Sequence, residues 1–159
     1  MADWEMRSEI EGDVVFFRYT GENLERAFSE VYVWDLDKTY LDTSWASASE
    51  LWRTVIEKAF QKKNIPGTAS LVRALRSGWE DKRGQLAFPI YFITASPPQM
   101  EEKITQKLEL DEIKPLGAFF KDNLKNWKPS RWWRLTKQVG FKVQALLQLR
   151  TRLKEDVRQ

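Results

Sequence analysis

The chain has 159 residues, 42% hydrophobic and 31% charged, with a net charge of +3. That is enough for one domain that buries about 70% of its unfolded surface, and no apolar run reaches the roughly 18 residues a bilayer-spanning helix needs. Cysteine and histidine are both absent, which excludes disulfides, thiol nucleophiles, thiolate metal sites and imidazole bases, and leaves carboxylates, lysine, hydroxyls and hard, oxygen-seeking cations for any chemistry.

The acidic start "MADWEMRSEIEGD" has no basic and apolar leader, so the expected location is the cytoplasm. "DVVFFRY" (13–19) is rich in β-branched and aromatic residues and reads as a strand, closed by the turn "TGEN". Residues 1–27 therefore form an N-terminal extension with one strand. "VYVW" (31–34) is uniformly apolar, as for a strand buried on both faces of a parallel sheet. It runs straight into Asp35, Asp37 and Thr39.

A capping-box spacing, Ser47 with Glu50, opens a helix over 47–60 with Leu51, Trp52, Val55, Ile56, Ala59 and Phe60 on one stripe. "NIPG" breaks the chain at 64–67, and "TASLVRALRSG" reads as a short helix ended by Gly78. "PIYFIT" (89–94) is a second buried strand ending in Thr94. A helix follows that opens on prolines and carries Met100, Ile104 and Leu108. "PLGAFF" (115–120) is a third short strand. Two helices, "SRWWRLTKQVG" and "FKVQALLQLRTRL", are expected to be separated at Gly140. Strands alternating with helices specify a single α/β domain with a parallel sheet, whose ligands sit beyond the carboxyl ends of the strands.

Asp35 and Asp37 stand two positions apart, on one side of an extended chain. Their mutual repulsion is relieved if a cation lies beside them, and Mg2+ takes one or two carboxylates while keeping water and phosphate oxygens as its other ligands. One carboxylate is then placed to attack phosphorus and the other to handle the proton of the leaving alcohol.

"VYVWDLDKT" resembles motif I (31–39) of the haloacid dehalogenase (HAD) superfamily of phosphotransferases. "IYFIT", followed by "ASP", resembles motif II (89–96), and "GFKVQALLQL" resembles motif III (around 140–146). The set is most similar to the branch holding the actin-patch-type phosphatidate phosphatase catalytic domain and its bacterial relatives, over roughly residues 28 to 150.

The resemblance implies a HAD-like (Rossmannoid) three-layer α/β fold with a small cap or none, and hydrolysis of a small-molecule or lipid phosphomonoester through an aspartyl-phosphate. It implies Asp35 as nucleophile and Mg2+ ligand, and Asp37 as general acid/base, giving the metal its main-chain carbonyl. Thr39, Thr94, Ala95, Ser96 and Lys142 would hold the phosphoryl group, with Lys142 balancing charge, and residues 40–47 would form a flap. The match stops before motif IV, the acidic pair on a further strand. The expectation is therefore a truncated form of a longer phosphatase, or one whose missing strand comes from a partner or a second copy through the motif I edge.

Two other readings compete with the phosphatase. One is a noncatalytic HAD-like domain. The other is an anionic-lipid or nucleic-acid binding module. Residues 1–60 carry 13 acids against 6 bases, a net of −7, whereas 61–159 carry 10 acids against 20 bases, a net of +10. Basic residues alternate with indoles in "KNWKPSRWWR" (125–134). Solvated helix faces, with Trp132 or Trp133 in the core, account for this pattern more simply than a nucleic-acid surface.

Overall fold

The computed structural model describes residues 3–20, 28, 30–37, 39, 64–83, 87–122 and 138–155. The helix expected over 47–60, the flap at 40–47, the tryptophan-rich stretch 125–134 and most of the helix expected over 130–140 lie outside them. A single turn, α1 (Asp3–Met6), leads into β1 (Ser8–Glu11) and β2 (Val14–Arg18). Then follow β3 (Tyr32–Asp35), α2 (Thr68–Arg83), β4 (Ile90–Thr94), a 3-10 turn Pro98–Met100 that opens α3 (Glu101–Leu110), β5 (Gly117–Lys121) and α4 (Gln138–Glu155).

The five strands form one sheet in the order β1-β2-β5-β4-β3. Strands β3, β4 and β5 are parallel, whereas β2 joins β5 antiparallel. The sheet is thus mixed, Rossmann-like in its parallel part, and not the all-parallel sheet the alternating elements suggest. The reason lies in the extension, which contributes two strands where one was expected. Residues 11 and 14 are joined by a two-residue turn in which Gly12 takes φ +62°, a conformation free of Cβ strain only in glycine. The second strand of this hairpin, β2, runs antiparallel to β5, with Val14 opposite Lys121 and Arg18 opposite Gly117.

Helices α2 and α3 cover one face of the sheet. Val72, Trp79, Ile104 and Leu108 pack there with Phe17, Ile90, Phe92 and Phe120. Helix α4 covers the other face, where Phe141, Ala145 and Leu149 meet Phe16, Tyr91, Ile93 and Phe119. This gives three layers. Strands β2, β4 and β5 are buried on both faces, but β3 is not, and Val33 is 36% exposed. Among the described residues β3 pairs only with β4, and an edge strand cannot be sealed as a central one is.

Two glycines fail to end helices as their positions suggest. Helix α2 runs through Gly78 to Arg83 because the next residue, Trp79, is buried against Phe28, Tyr32 and Phe88. Burying an indole outweighs the ~1 kcal/mol that glycine costs a helix. Helix α4 likewise continues through Gly140 into its buried Phe141–Ala145–Leu149 stripe. Lys142 therefore stands inside a helix and not at its start. A third glycine is sterically required. A Cβ at Gly117 would lie 2.6 Å from the Phe16 ring and 2.8 Å from the Phe17 carbonyl oxygen on the paired strand β2.

Candidate active site

The parallel strands end on one edge of the sheet, and that edge collects the polar residues. The Leu36 amide donates to the Ile93 carbonyl at 2.9 Å, carrying the β3–β4 pairing one step past the strand ends. Asp35 and Asp37 are thereby fixed on either side of an apolar, fully buried Leu36, and Asp37 is brought over the end of β4.

The two carboxylates have different surroundings. Asp35 Oδ2 accepts the Lys142 ammonium at 2.6 Å and, more weakly, the Thr39 hydroxyl at 3.4 Å. Both partners of the ion pair keep about a third of their side-chain surface, 32% for Asp35 and 29% for Lys142. Asp37 is buried. Its Oδ2 accepts the Thr94 hydroxyl at 3.0 Å and the Ala95 amide at 2.6 Å, and the Thr94 oxygen in turn accepts the Ser96 amide at 3.0 Å.

Burial raises the Asp37 carboxyl above the ordinary carboxylate range. The Ala95 amide and the Thr94 hydroxyl oppose that rise, the neighbouring charge of Asp35 adds to it, and Lys142 offsets a little. The result is a carboxyl group that favours holding a proton more than a solvated aspartate does, beside a second carboxylate paired to a cation.

All seven residues singled out in the sequence, Asp35, Asp37, Thr39, Thr94, Ala95, Ser96 and Lys142, belong to this cluster or to its hydrogen-bonded frame. Their roles in the frame are specific. The Thr94 hydroxyl is fully buried and engaged on both sides, so in this state it orients Asp37. The Ala95 amide does the same.

The side-chain atoms Asp35 Oδ1 and Asp37 Oδ1 are buried and accept no hydrogen bond among the described residues. The orphaned Asp35 oxygen at this strand edge suits a hard divalent cation, which takes one or two carboxylates and completes its shell with water and phosphate oxygens, while the free Asp37 oxygen suits a carboxyl that holds its proton. Among the described residues no third Asp or Glu joins them.

Behind the cluster, the Lys121 amide donates to the Ser96 carbonyl at 3.2 Å and the Asp122 amide to the Asp13 carbonyl at 2.9 Å. The loop 94–96 is thus braced by the end of β5, and β5 by the hairpin turn. Lys121 is itself buried, which pulls its ammonium below the usual lysine range while Asp13 opposes the fall. Sequence reasoning passed over this brace. The signal was "FKD", two charged residues directly after the apolar run of "GAFF".

A cavity of about 500 Å³ lined by Arg7, Phe17, Tyr19, Glu101 and Thr105, among others, lies between the hairpin and α3 and shares no residue with the cluster. The Glu101 carboxylate there is held by Arg7 at 3.1 Å and by Thr105 at 3.2 Å. These groups satisfy one another, which marks a structural network.

Compared with protein-family models, curated proteins and solved structures, the chain finds no match.

Proposed function

We propose that the chain is a Mg2+-dependent phosphohydrolase of the HAD type, acting on a phosphomonoester through an aspartyl-phosphate. One observation carries this reading. Residues from three separate parts of the sequence, 35–39, 94–96 and 142, converge into an Asp–Lys ion pair next to a buried carboxyl of raised proton affinity. A buried carboxyl of raised proton affinity beside a carboxylate held by an ammonium group is an arrangement suited to acid/base and nucleophile chemistry.

In this reading the Asp35 carboxylate attacks phosphorus, forming an acyl-phosphate as the ester P–O bond breaks. Asp37 gives its proton to the departing alcohol oxygen. Water then attacks the phosphorus of the aspartyl-phosphate, Asp37 takes back a proton, and free phosphate leaves with Asp35 restored. Lys142, already 2.6 Å from Asp35, screens its charge from the incoming phosphate and stabilises the charge that develops on the phosphoryl oxygens. The Asp35 carboxylate and the Asp37 main-chain carbonyl would hold Mg2+, which supplies phosphoryl polarisation and charge neutralisation when bound. Thr94 and Ala95 keep Asp37 aimed, and Leu36 fixes the spacing of the pair.

Hydrolysis of p-nitrophenyl phosphate, measured with Mg2+ and with EDTA, tests the reading. Activity is expected only with the metal and is expected to vanish in Asp35→Asn; activity that survives Asp35→Asn removes the proposed nucleophile. A second reading, a noncatalytic HAD-like domain, is favoured by the two-carboxylate count among the described residues. It is upheld if the wild-type chain binds Mg2+ or phosphate without turnover. No helix among the described residues is long and apolar enough to cross a membrane, and the phosphomonoester is expected to be a small-molecule or lipid phosphate.

A further inference from the structure

Helix α4 buries Phe141, Ala145 and Leu149 against the sheet, yet its opposite side is also apolar. Val143 is 50% exposed, Leu146 46% and Leu147 54%. At i, i+3 and i+4 these three share one face, which exposed Arg150 continues at i+7. A solvated helix normally places charge there. The sequence around it has a second peculiarity: residues 123–154 contain nine Lys and Arg, three Trp and no Asp or Glu. Nowhere else in the chain do 32 consecutive residues lack an acid.

We infer that the outer face of α4 docks on an anionic lipid surface. Aliphatic side chains and Arg150 on one face, in a run of sequence without an acid, fit an interface in which Val143, Leu146 and Leu147 enter the headgroup–acyl boundary and Arg150 meets lipid phosphate and carboxylate groups. Two other occupants fit less well. Pairing α4 with a second copy would bring two Arg150 side chains to one apolar seam with no acid of that face, among the described residues, to balance them. Single-stranded nucleic acid uses basic and aromatic groups but has no partner for an aliphatic stripe. Arg152 and Lys142 are not part of this face, since they pair with Glu9 and Asp35. Docking there leaves those fold and site contacts in place.

The test is co-sedimentation of the full chain with vesicles of phosphatidylcholine alone and with about one-third phosphatidylserine, at about 0.1 M and about 1 M salt, across which the screening length falls from about 10 Å to about 3 Å. The wild type is expected to bind the anionic vesicles and to lose at least about tenfold in affinity at high salt. Leu146→Gln/Leu147→Gln, both positions being exposed, is expected to keep its circular dichroism and melting temperature and to bind at least about tenfold more weakly. Arg150→Gln is expected to weaken binding about fivefold.

Binding by the double variant equal to wild type overturns the inference, as does binding that ignores salt or vesicle charge. A solution dimer that the double variant dissolves, or oligonucleotide binding in place of vesicle binding, also overturns it and reassigns the face. Asp35→Asn is expected to bind vesicles as the wild type does, so the outcome stands apart from that of the phosphatase assay.

Discussion

Replacing Thr94 with valine keeps the shape of the side chain and removes its hydroxyl, and it separates two effects by their dependence on pH. The hydroxyl is fully buried, donates to Asp37 and accepts from the Ser96 amide. Losing the acceptor strands a buried N–H, at a cost of about 1–3 kcal/mol that does not depend on pH. Losing the donor affects Asp37 unequally in its two states. A hydrogen bond to an ionised acceptor contributes about 1.5–3 kcal/mol and one to a neutral acceptor about 0.5–1.5, so the ionised form loses about 1–1.5 kcal/mol more. Losing the donor therefore raises the Asp37 carboxyl further.

The direction follows from linkage. Asp37 already titrates above its unfolded value. Its contribution to stability is therefore complete below the unfolded pKa of about 3.9 and is lost as pH rises through the folded pKa. Thr94→Val extends that loss to higher pH. Urea unfolding in mild acid and at neutral pH should show the variant destabilised in both, by about 1 kcal/mol more at neutral pH. Thr94→Ser, which retains the hydroxyl, should not show the extra increment. Equal destabilisation at both pH values, or the same increment in the serine variant, refutes the claim that Thr94 supports the Asp37 carboxylate.

Lys142→Met removes the cation beside Asp35. Because the ion pair is about a third exposed, stability should change by no more than ~1 kcal/mol, whereas kcat/KM for p-nitrophenyl phosphate should fall at least ~10²-fold; a large loss of stability with activity retained would make Lys142 a structural residue. Gly117→Ala forces its Cβ onto the Phe16 ring and the Phe17 carbonyl, and chemical denaturation should report a loss of about 1–3 kcal/mol. Trp79→Ala empties the space shared with Phe28, Tyr32 and Phe88 and should cost about 3–5 kcal/mol in the same measurement; a loss under ~1 kcal/mol would mean that α2 is not held by this contact.

The parts of the fold legible in the sequence are those set by local pattern. The apolar runs at 31–34, 89–94 and 115–120 each overlap a strand, β3, β4 and β5 in turn, and their polar terminators gather at one edge because parallel strands end there together. The first strand of the extension was illegible. "SEIE" is too polar to be recognised, and it persists as β1 because β2 supplies its backbone partners and Glu9 pairs with Arg18 and with Arg152, a residue 143 positions away. The lengths of α2 and α4 were misjudged for a related reason: Gly78 and Gly140 act locally, while Trp79 and Phe141 act through burial, and burial is decided by the whole chain.

The same division runs through the candidate site. The spacing of Asp35 and Asp37 says that two carboxylates share a strand end, but it treats them alike. Their difference comes from elements far along the chain. Helix α4 brings Lys142 to one carboxylate, while the turn after β4 closes Thr94 and Ala95 over the other. The brace from Lys121 and Asp13 holds that turn in place. A chain with the same D-x-D and a displaced 94–96 loop would keep Asp37 but leave it solvated. Its proton affinity would fall back toward that of an ordinary aspartate, and with it the fitness of the carboxyl as a proton donor. The acid/base role proposed for Asp37 therefore resides in the packing of β5 against the 94–96 loop as much as in the aspartate itself.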